Sequence, residues 1–157
     1  MVKKKLLKLD FTTKDLDKLN TKRWKWDDNS VEEFKCVDVL QYIPGKMRAN
    51  FMDELYRVLV PEGKATIICA YYSSAMAVAD PFVEWPPICE QSFLYFLKQW
   101  RTENQITYPI HCNFEWGYGY PMPPELAGRS QEVQAVWIAS RLNTVPKIQV
   151  VLTKKPC

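Results

Sequence analysis

Two carboxylates and three aromatic rings crowd one stretch of this sequence: Tyr71-Tyr72-Ser73-Ser74, then Asp80-Pro81, then Glu84-Trp85-Pro86-Pro87. Aromatic faces of this kind can flank a planar ligand while Glu84 or Asp80 orients or deprotonates it. The same rings could equally pack the loop onto the structure beneath. A second group joins Asp28-Asn29-Ser30 to Val37-Asp38-Val39-Leu40-Gln41-Tyr42, and here a surface turn or helix cap competes with a ligand contact. His111, the only histidine, is a residue type that can serve as a general base, but it stands beside Cys112 in a strand-like run with no Asp or Ser motif around it. Trp24 and Trp26, flanked by Lys22, Arg23 and Lys25, form a small basic-aromatic patch of the type that stacks on single-stranded bases.

These groups need elements to hold them. Phe51, Leu55, Val58 and Leu59 recur at helical spacing, with Asp53, Glu54 and Arg57 pointing elsewhere, so the chain from Pro44-Gly45 to about Leu59 reads as an amphipathic helix. Pro61 and Gly63 read as its stop and as the turn into a strand over 65–72. Further strands are expected over 5–10, 34–40, 107–118 and 147–153. The run at 34–40 is apolar enough to suit a strand covered on both faces. Helices are expected over 13–19, with Thr12 or Thr13 as cap, over 91–100, and over 130–142 with Ser130 as cap. Residues 73–87 form a proline-rich loop and 121–128 a turn-rich linker.

Composition points to one domain over 1–157, divided into a divergent segment (1–30), a core strand-helix-strand (31–72), a loop-and-helix region (73–128) and a final helix and strand (129–157). A chain of this size buries roughly 70% of the surface its unfolded form exposes. Its five cysteines are odd in number and contain no Cys-x-x-Cys pair, which speaks against a disulfide framework or a zinc site and suits a reducing cytoplasm. Cys36 and Cys69 read as small buried hydrophobes. The short apolar stretches after Lys3-Lys4-Lys5 suit neither a signal peptide nor a membrane span. A net charge of +3, with the basic residues scattered among acids, is weak support for nucleic-acid binding.

The wording Phe51-Met52-x-Glu54-Leu55-Tyr56-Arg57-Val58-Leu59-x-Pro61-x-Gly63-Lys64 resembles the class I S-adenosylmethionine-dependent methyltransferases, phage-type and environmental members above all. Trp26-Asp27-Asp28-Asn29-Ser30-Val31-Glu32-Glu33 resembles the aromatic-x-Asp-x-Ser-aliphatic-acidic segment of that family, and the likeness runs on through Tyr71–Ser74 and 84–87 to the last strand. The resemblance implies an α/β fold: an incomplete Rossmann-like, three-layer sheet, mostly parallel with an antiparallel last strand. It implies cofactor contacts at Asp28, Asn29, Asp38 and Gln41, and acceptor contacts at Tyr71, Tyr72, Ser73, Glu84 and Trp85.

The chain departs from the family pattern in two places. The family's first strand ends in Gly-x-Gly, which lets the backbone approach the cofactor, yet none of the five glycines precedes Gly45. Where the family strand end tends to read Ser-His-x-Leu-Glu-His, this chain has Val37, Asp38, Gln41 and Tyr42 at the altered positions, and Val83 replaces a histidine after Asp-Pro. The 5–10 strand could be a relic of the family's first strand, with Phe11-Thr12-Thr13 where the glycines would stand, or the family's third; the length of the connection from Leu9-Asp10-Phe11 to Trp26 favours the third, with the segments before it missing. The 34–40 strand would then have a naked edge, covered either by the 5–10 strand or by a second chain. The expected function is therefore a truncated S-adenosylmethionine-dependent methyltransferase-like protein that acts on an unnamed acceptor with a partner, either a homodimer mate or a full-length methyltransferase. The alternative is a noncatalytic protein of the same fold that binds or regulates a partner.

Overall fold

The computed structural model describes residues 6–157, so the expected start of the first strand at Lys5 lies outside the described residues. Five strands form one sheet in the order β1 (Leu7–Phe11), β2 (Val31–Val37), β3 (Leu59–Ala70), β5 (Lys147–Lys154), β4 (Phe114–Gly119). β1, β2 and β3 are parallel, whereas β5 runs antiparallel to both β3 and β4. The fold is thus a mixed α/β sheet, mostly parallel, with its last strand reversed. The helices are α1 (Leu16–Leu19), α2 (Gly45–Val58), α3 (Ala75–Val78), α4 (Gln91–Leu94), α5 (Lys98–Glu103), α6 (Pro124–Ala127) and α7 (Gln131–Ser140).

β1 answers the question of the naked edge. It pairs with β2 from Leu7 opposite Val31 to Phe11 opposite Cys36, and so takes the place beside β2 that the resemblance gives to the glycine-loop strand. Of the two coverings expected for that edge, the chain's own first strand supplies it; a connection of that length is what any adjacent parallel strand needs, so length alone does not separate the first-strand from the third-strand reading. The connection folds inward, burying Leu19 and Trp24, and returns at Ser30, whose N–H donates to the Val58 carbonyl.

The register aligns Phe11, Cys36, Ile67 and Val150 in one row and Leu9, Phe34, Ala65 and Leu152 in the next. These rows form the core face, onto which α2 presses Phe51, Met52, Leu55 and Val58, all buried. Trp24 stacks on Phe34 and meets Phe51 edge-on, making it a deeper anchor than half-buried Trp26. Burial pushes the Cys69 thiol up to about 12 and raises that of Cys36 as well, as for small core hydrophobes. On the second face Lys8, Asp10, Glu33, Lys35 and Lys64 stand exposed. β2 therefore alternates inward and outward instead of being covered on both faces.

Three expected boundaries move, each for a physical reason. α2 ends at Val58 because Leu59 is already extended and paired with Val31. Pro61-Glu62-Gly63 is instead a bulge inside β3: pairing jumps from Leu59 opposite Val31 to Lys64 opposite Glu33, Glu62 has φ 63°, and a Cβ on Gly63 would lie 2.8 Å from the Val60 carbonyl oxygen. The helix expected over 91–100 breaks into α4 and α5 because Leu97 is extended and the Phe96 carbonyl accepts from Phe114 N–H. The strand expected from 107 starts only at Phe114, since the N–H groups of His111 and Cys112 both donate to Asp53 Oδ1 on α2, at 2.9 Å each. Ser130 does cap α7, accepting from Val133 N–H.

Candidate functional site

At the carboxyl ends of the parallel strands, where ligands bind in open α/β sheets, the chain builds a platform from β2, β3 and β5. Asp38, just past β2, adopts a left-handed backbone (φ 57°) that turns the chain over the end of the sheet. Its Oδ2 accepts from Lys147 Nζ at 2.7 Å, and Gln41 Nε2 reaches its Oδ1 at 3.4 Å. Gln41 is buried; its Oε1 accepts from Ala70 N–H and its carbonyl from Glu84 N–H. Asp38 and Gln41 thus come together as struts that tie three strand ends to the following loop. Tyr42 donates to Asp80 Oδ2 at 2.7 Å; this bond raises the phenol above its ordinary value and lowers the carboxyl below its own.

Arg48 clamps that loop. It is buried on α2 without a carboxylate in hydrogen-bonding contact, and donates to the carbonyls of Ile43 (3.0 Å), Glu84 (3.0 Å) and Pro86 (2.5 Å). Burial lowers its pKa. Gly45 completes the clamp: its N–H donates to the Trp85 carbonyl, and a Cβ there would meet that oxygen at 2.6 Å. The backbone of 84–86 is fixed while the side chains are offered outward, with Trp85 80% and Phe82 78% exposed. Trp85 therefore does not pack the loop onto the sheet. Glu84 is exposed beside it.

Tyr71 and Tyr72 follow β3 and line a hollow of about 500 Å³ with Glu90, Tyr118, Tyr120 and Ile138 of α7. Tyr71 is only 3% exposed and donates to Glu90 Oε1 at 2.9 Å; Tyr120 donates to the same oxygen. Burial, then the bond to Glu90, pushes the Tyr71 phenol well above its ordinary value. Tyr72 stands edge-to-face with Tyr71 and is partly exposed. Ser73 is half-buried; its carbonyl accepts from Asn143 N–H, and its hydroxyl is buried with no hydrogen-bond partner.

Asp28 and Asn29 lie at the other end. They precede β2, where Asp28 Oδ1 accepts from Arg57 at 2.7 Å and Asn29 Oδ1 from Lys154 at 2.8 Å. Arg57 also pairs with Glu54, whose Oε2 accepts both from Arg57 Nη2 at 2.7 Å and from Trp24 N–H at 2.6 Å. The structure thus brings Asp38 and Gln41 near the Tyr71–Trp85 group and leaves Asp28 and Asn29 at the amino end. His111 is exposed, held by its backbone to Asp53. Sequence reasoning missed Arg48, Glu90, Tyr118, Tyr120 and Lys147, for which no local motif gave a signal.

The end of β1 can be tested against the cofactor that the resemblance implies. Phe11 is buried, Thr12 is extended, and a 3-10 turn (Thr13–Asp15) leads into the single-turn α1. Asp15 reaches back to Thr12 N–H at 3.1 Å and holds Lys18 at 2.6 Å, which closes the turn on itself. Side chains and a self-capped turn thus stand at the end of β1, where the resemblance expects glycines.

No protein-family model and no curated protein sequence matches the chain. Solved structures share its fold. A S-adenosylmethionine-dependent methyltransferase from Archaeoglobus fulgidus is similar with a TM-score of 0.54 at 13% identity, over 83% of this chain and 62% of that one. A chain of the complex between the Haloferax volcanii Trm112 methyltransferase activator and a methyltransferase gives 0.50 at 12% identity, over 87% and 59%. Geranyl diphosphate C-methyltransferase from Streptomyces coelicolor, in complex with magnesium, geranyl diphosphate and S-adenosyl-L-homocysteine, gives 0.50 at 11%, over 85% and 51%. The present chain spans less than two thirds of each. The fold is that of the Rossmann-like methyltransferases.

Proposed function

We propose that this chain is a S-adenosylmethionine-dependent methyltransferase-like protein that carries the acceptor side of such an enzyme and supports methyl transfer together with a partner chain. The observation that carries this reading is the contrast between strand ends: a hollow and a clamped, outward-facing loop beyond β3, but a self-closed turn beyond β1. Tyr71, Tyr72, Ser73, Glu84 and Trp85 are the residues assigned to the acceptor, and Asp38 and Gln41 shape the platform beneath it. A partner would supply cofactor contacts that this chain lacks. Met76, Val78, Phe82 and Trp85 give it an exposed apolar surface on the same loop, and β1 gives it an edge strand with Leu7 partly exposed. The partner is a second copy or a full-length methyltransferase. Free thiols at all five cysteines suit a reducing cytoplasm.

Isothermal titration of the purified chain with S-adenosylmethionine and S-adenosylhomocysteine tests the division of labour. No heat from the chain alone is expected; micromolar binding overturns the need for a partner. Sedimentation velocity at micromolar concentration separates the two partners, since a strict monomer removes the homodimer. A second reading, a noncatalytic protein of this fold that regulates a partner, is favoured by the use of Asp38 and Gln41 as struts with their polar atoms already engaged. It predicts that a reconstituted complex binds cofactor no better than the partner by itself.

A further inference from the structure

The hollow beyond β3 has a chemistry of its own. Tyr71, Tyr72, Tyr118 and Tyr120 line it, and successive rings meet nearly at right angles: 73° for Tyr71–Tyr72, 71° for Tyr71–Tyr120 and 76° for Tyr118–Tyr120, with centroids 4.9 to 6.0 Å apart. Rings set this way form adjoining walls rather than a stack. Glu90 lies among them, half-buried, and one of its oxygens takes both the Tyr71 and the Tyr120 hydroxyl. Among the described residues no lysine or arginine forms an ion pair with Glu90. Elsewhere in the chain Asp38 and Glu54 each have a cation within 3 Å, whereas half-buried Asp53 and Asp80 take backbone N–H and tyrosine donors instead; Glu90 differs from those two in lining a hollow walled by four tyrosines. A carboxylate withdrawn from water without a counter-ion, ringed by electron-rich faces, creates a potential that a cation relieves.

We propose that this hollow binds a small organic cation, a methylated ammonium head group, with the tyrosine faces around its methyl groups and the Glu90 carboxylate as its counter-charge. A volume of about 500 Å³ admits such a group with the moiety it is attached to. Ile138 and Ala139 of α7 close one side with apolar surface, which suits methyls better than a hydrated ammonium. Tyr72 and Tyr118, 43% and 52% exposed, form the mouth, while buried Tyr71 forms the floor. For the proposed function this names the class of acceptor or product, an amine carrying methyl groups. Cation binding requires no S-adenosylmethionine, so its failure and the failure of the methyl-transfer reading are separate results.

The test is calorimetric titration of the full chain with choline chloride and with 3,3-dimethylbutan-1-ol, which has the same shape without the charge. Saturable choline binding is expected, with the neutral isostere about ten-fold or more weaker. Glu90→Gln keeps the size of the side chain and removes the charge; Tyr118→Ala removes an exposed wall and leaves the core intact. Each should weaken choline by about ten-fold, with far-ultraviolet circular dichroism unchanged as the check on folding. Tyr108→Ala, exposed and outside the hollow, should leave choline affinity as it was. Absence of saturable choline binding, equal binding of the two probes, or unchanged affinity in both Glu90→Gln and Tyr118→Ala overturns the proposal.

Discussion

At the amino end of the strands Glu54 has a side chain 8% exposed and meets Arg57 at 2.7 Å; at the carboxyl end Glu90 receives two tyrosine hydroxyls and, among the described residues, no cation. Both ends combine acids with aromatic rings. At the amino end the combination is saturated: Arg57 donates to Glu54, Asp28 and the carbonyls of Trp24 and Trp26, and Trp24 N–H and its indole N–H both find acceptors. At the carboxyl end rings stay partly exposed, a serine hydroxyl stays unpaired and a carboxylate keeps its charge uncompensated. Residue types alone therefore do not separate a structural cluster from a binding one. The count of unmet partners does.

Arg57→Ala tests that contrast most severely. It leaves the buried Glu54 carboxylate with only the exposed Arg23, 3.6 Å away, as counter-ion, and unfolding in urea should show a loss of about 3 kcal/mol; a loss below about 1 kcal/mol would place the amino-end cluster among ordinary surface ion pairs. The same cluster sets an acid limb. Burial pushes the Glu54 carboxyl up, but bonds from Arg57 and Trp24 N–H bring it below its ordinary 4.5 on balance, and the Arg57 bond holds Asp28 below its ordinary 3.8. Carboxyls depressed in the folded state contribute stability that is present above their unfolded values and lost as pH falls through their folded ones. Thermal midpoints should therefore drop as pH falls below 4.5, and Arg57→Ala should flatten that drop. An unchanged slope in the variant would remove the cluster from the acid response.

Arg48→Met comes next. The substitution keeps the apolar stem and removes the donors to the carbonyls of Ile43, Glu84 and Pro86. A loss of about 2 kcal/mol is expected from carbonyls left without a charged donor, with hydrogen exchange accelerated at the bonded N–H groups of Glu84 and Gly45. If exchange rises across the whole sheet instead, Arg48 supports the core rather than the platform, and the distinction between a saturated end and a presented end weakens.

What was legible in the sequence follows the same division. The stripe Phe51, Leu55 and Val58 announced α2 because its pattern is local and periodic, and the β-branched Thr66-Ile67-Ile68 announced the strand that follows because β-branched side chains suit a pleated surface. Pro61 and Gly63 announced a turn without telling a helix stop from a bulge, since both ask for the same backbone freedom. The hollow was half legible: Tyr71 and Tyr72 adjoin a strand end, but Glu90 reaches Tyr71 across 19 residues and Tyr120 across 30. Arg48 meets its loop carbonyls 36 and 38 residues away, and Asp53 its amide donors 58 and 59 away. Juxtapositions at that range are set by sheet order, which no local pattern encodes. Asp28 was attractive for the opposite reason: its neighbours in sequence gave a motif, while its spatial partner Arg57 lies on another element.

The smallest expected effect is at Trp85. A ring left 80% exposed by a backbone that Arg48 and Gly45 already fix contributes little to folding, so Trp85→Ala should shift the unfolding free energy by no more than about 0.5 kcal/mol. Its cost should instead appear in association, because an exposed tryptophan on a rigid loop can bury its area on a partner with little further loss of conformational freedom. A measured destabilisation above about 1 kcal/mol would mean that the ring folds back onto the loop in solution. The carboxyl end would then be as self-satisfied at this position as the amino end is at Arg57, and the platform would shrink to the tyrosine-lined hollow and Glu90.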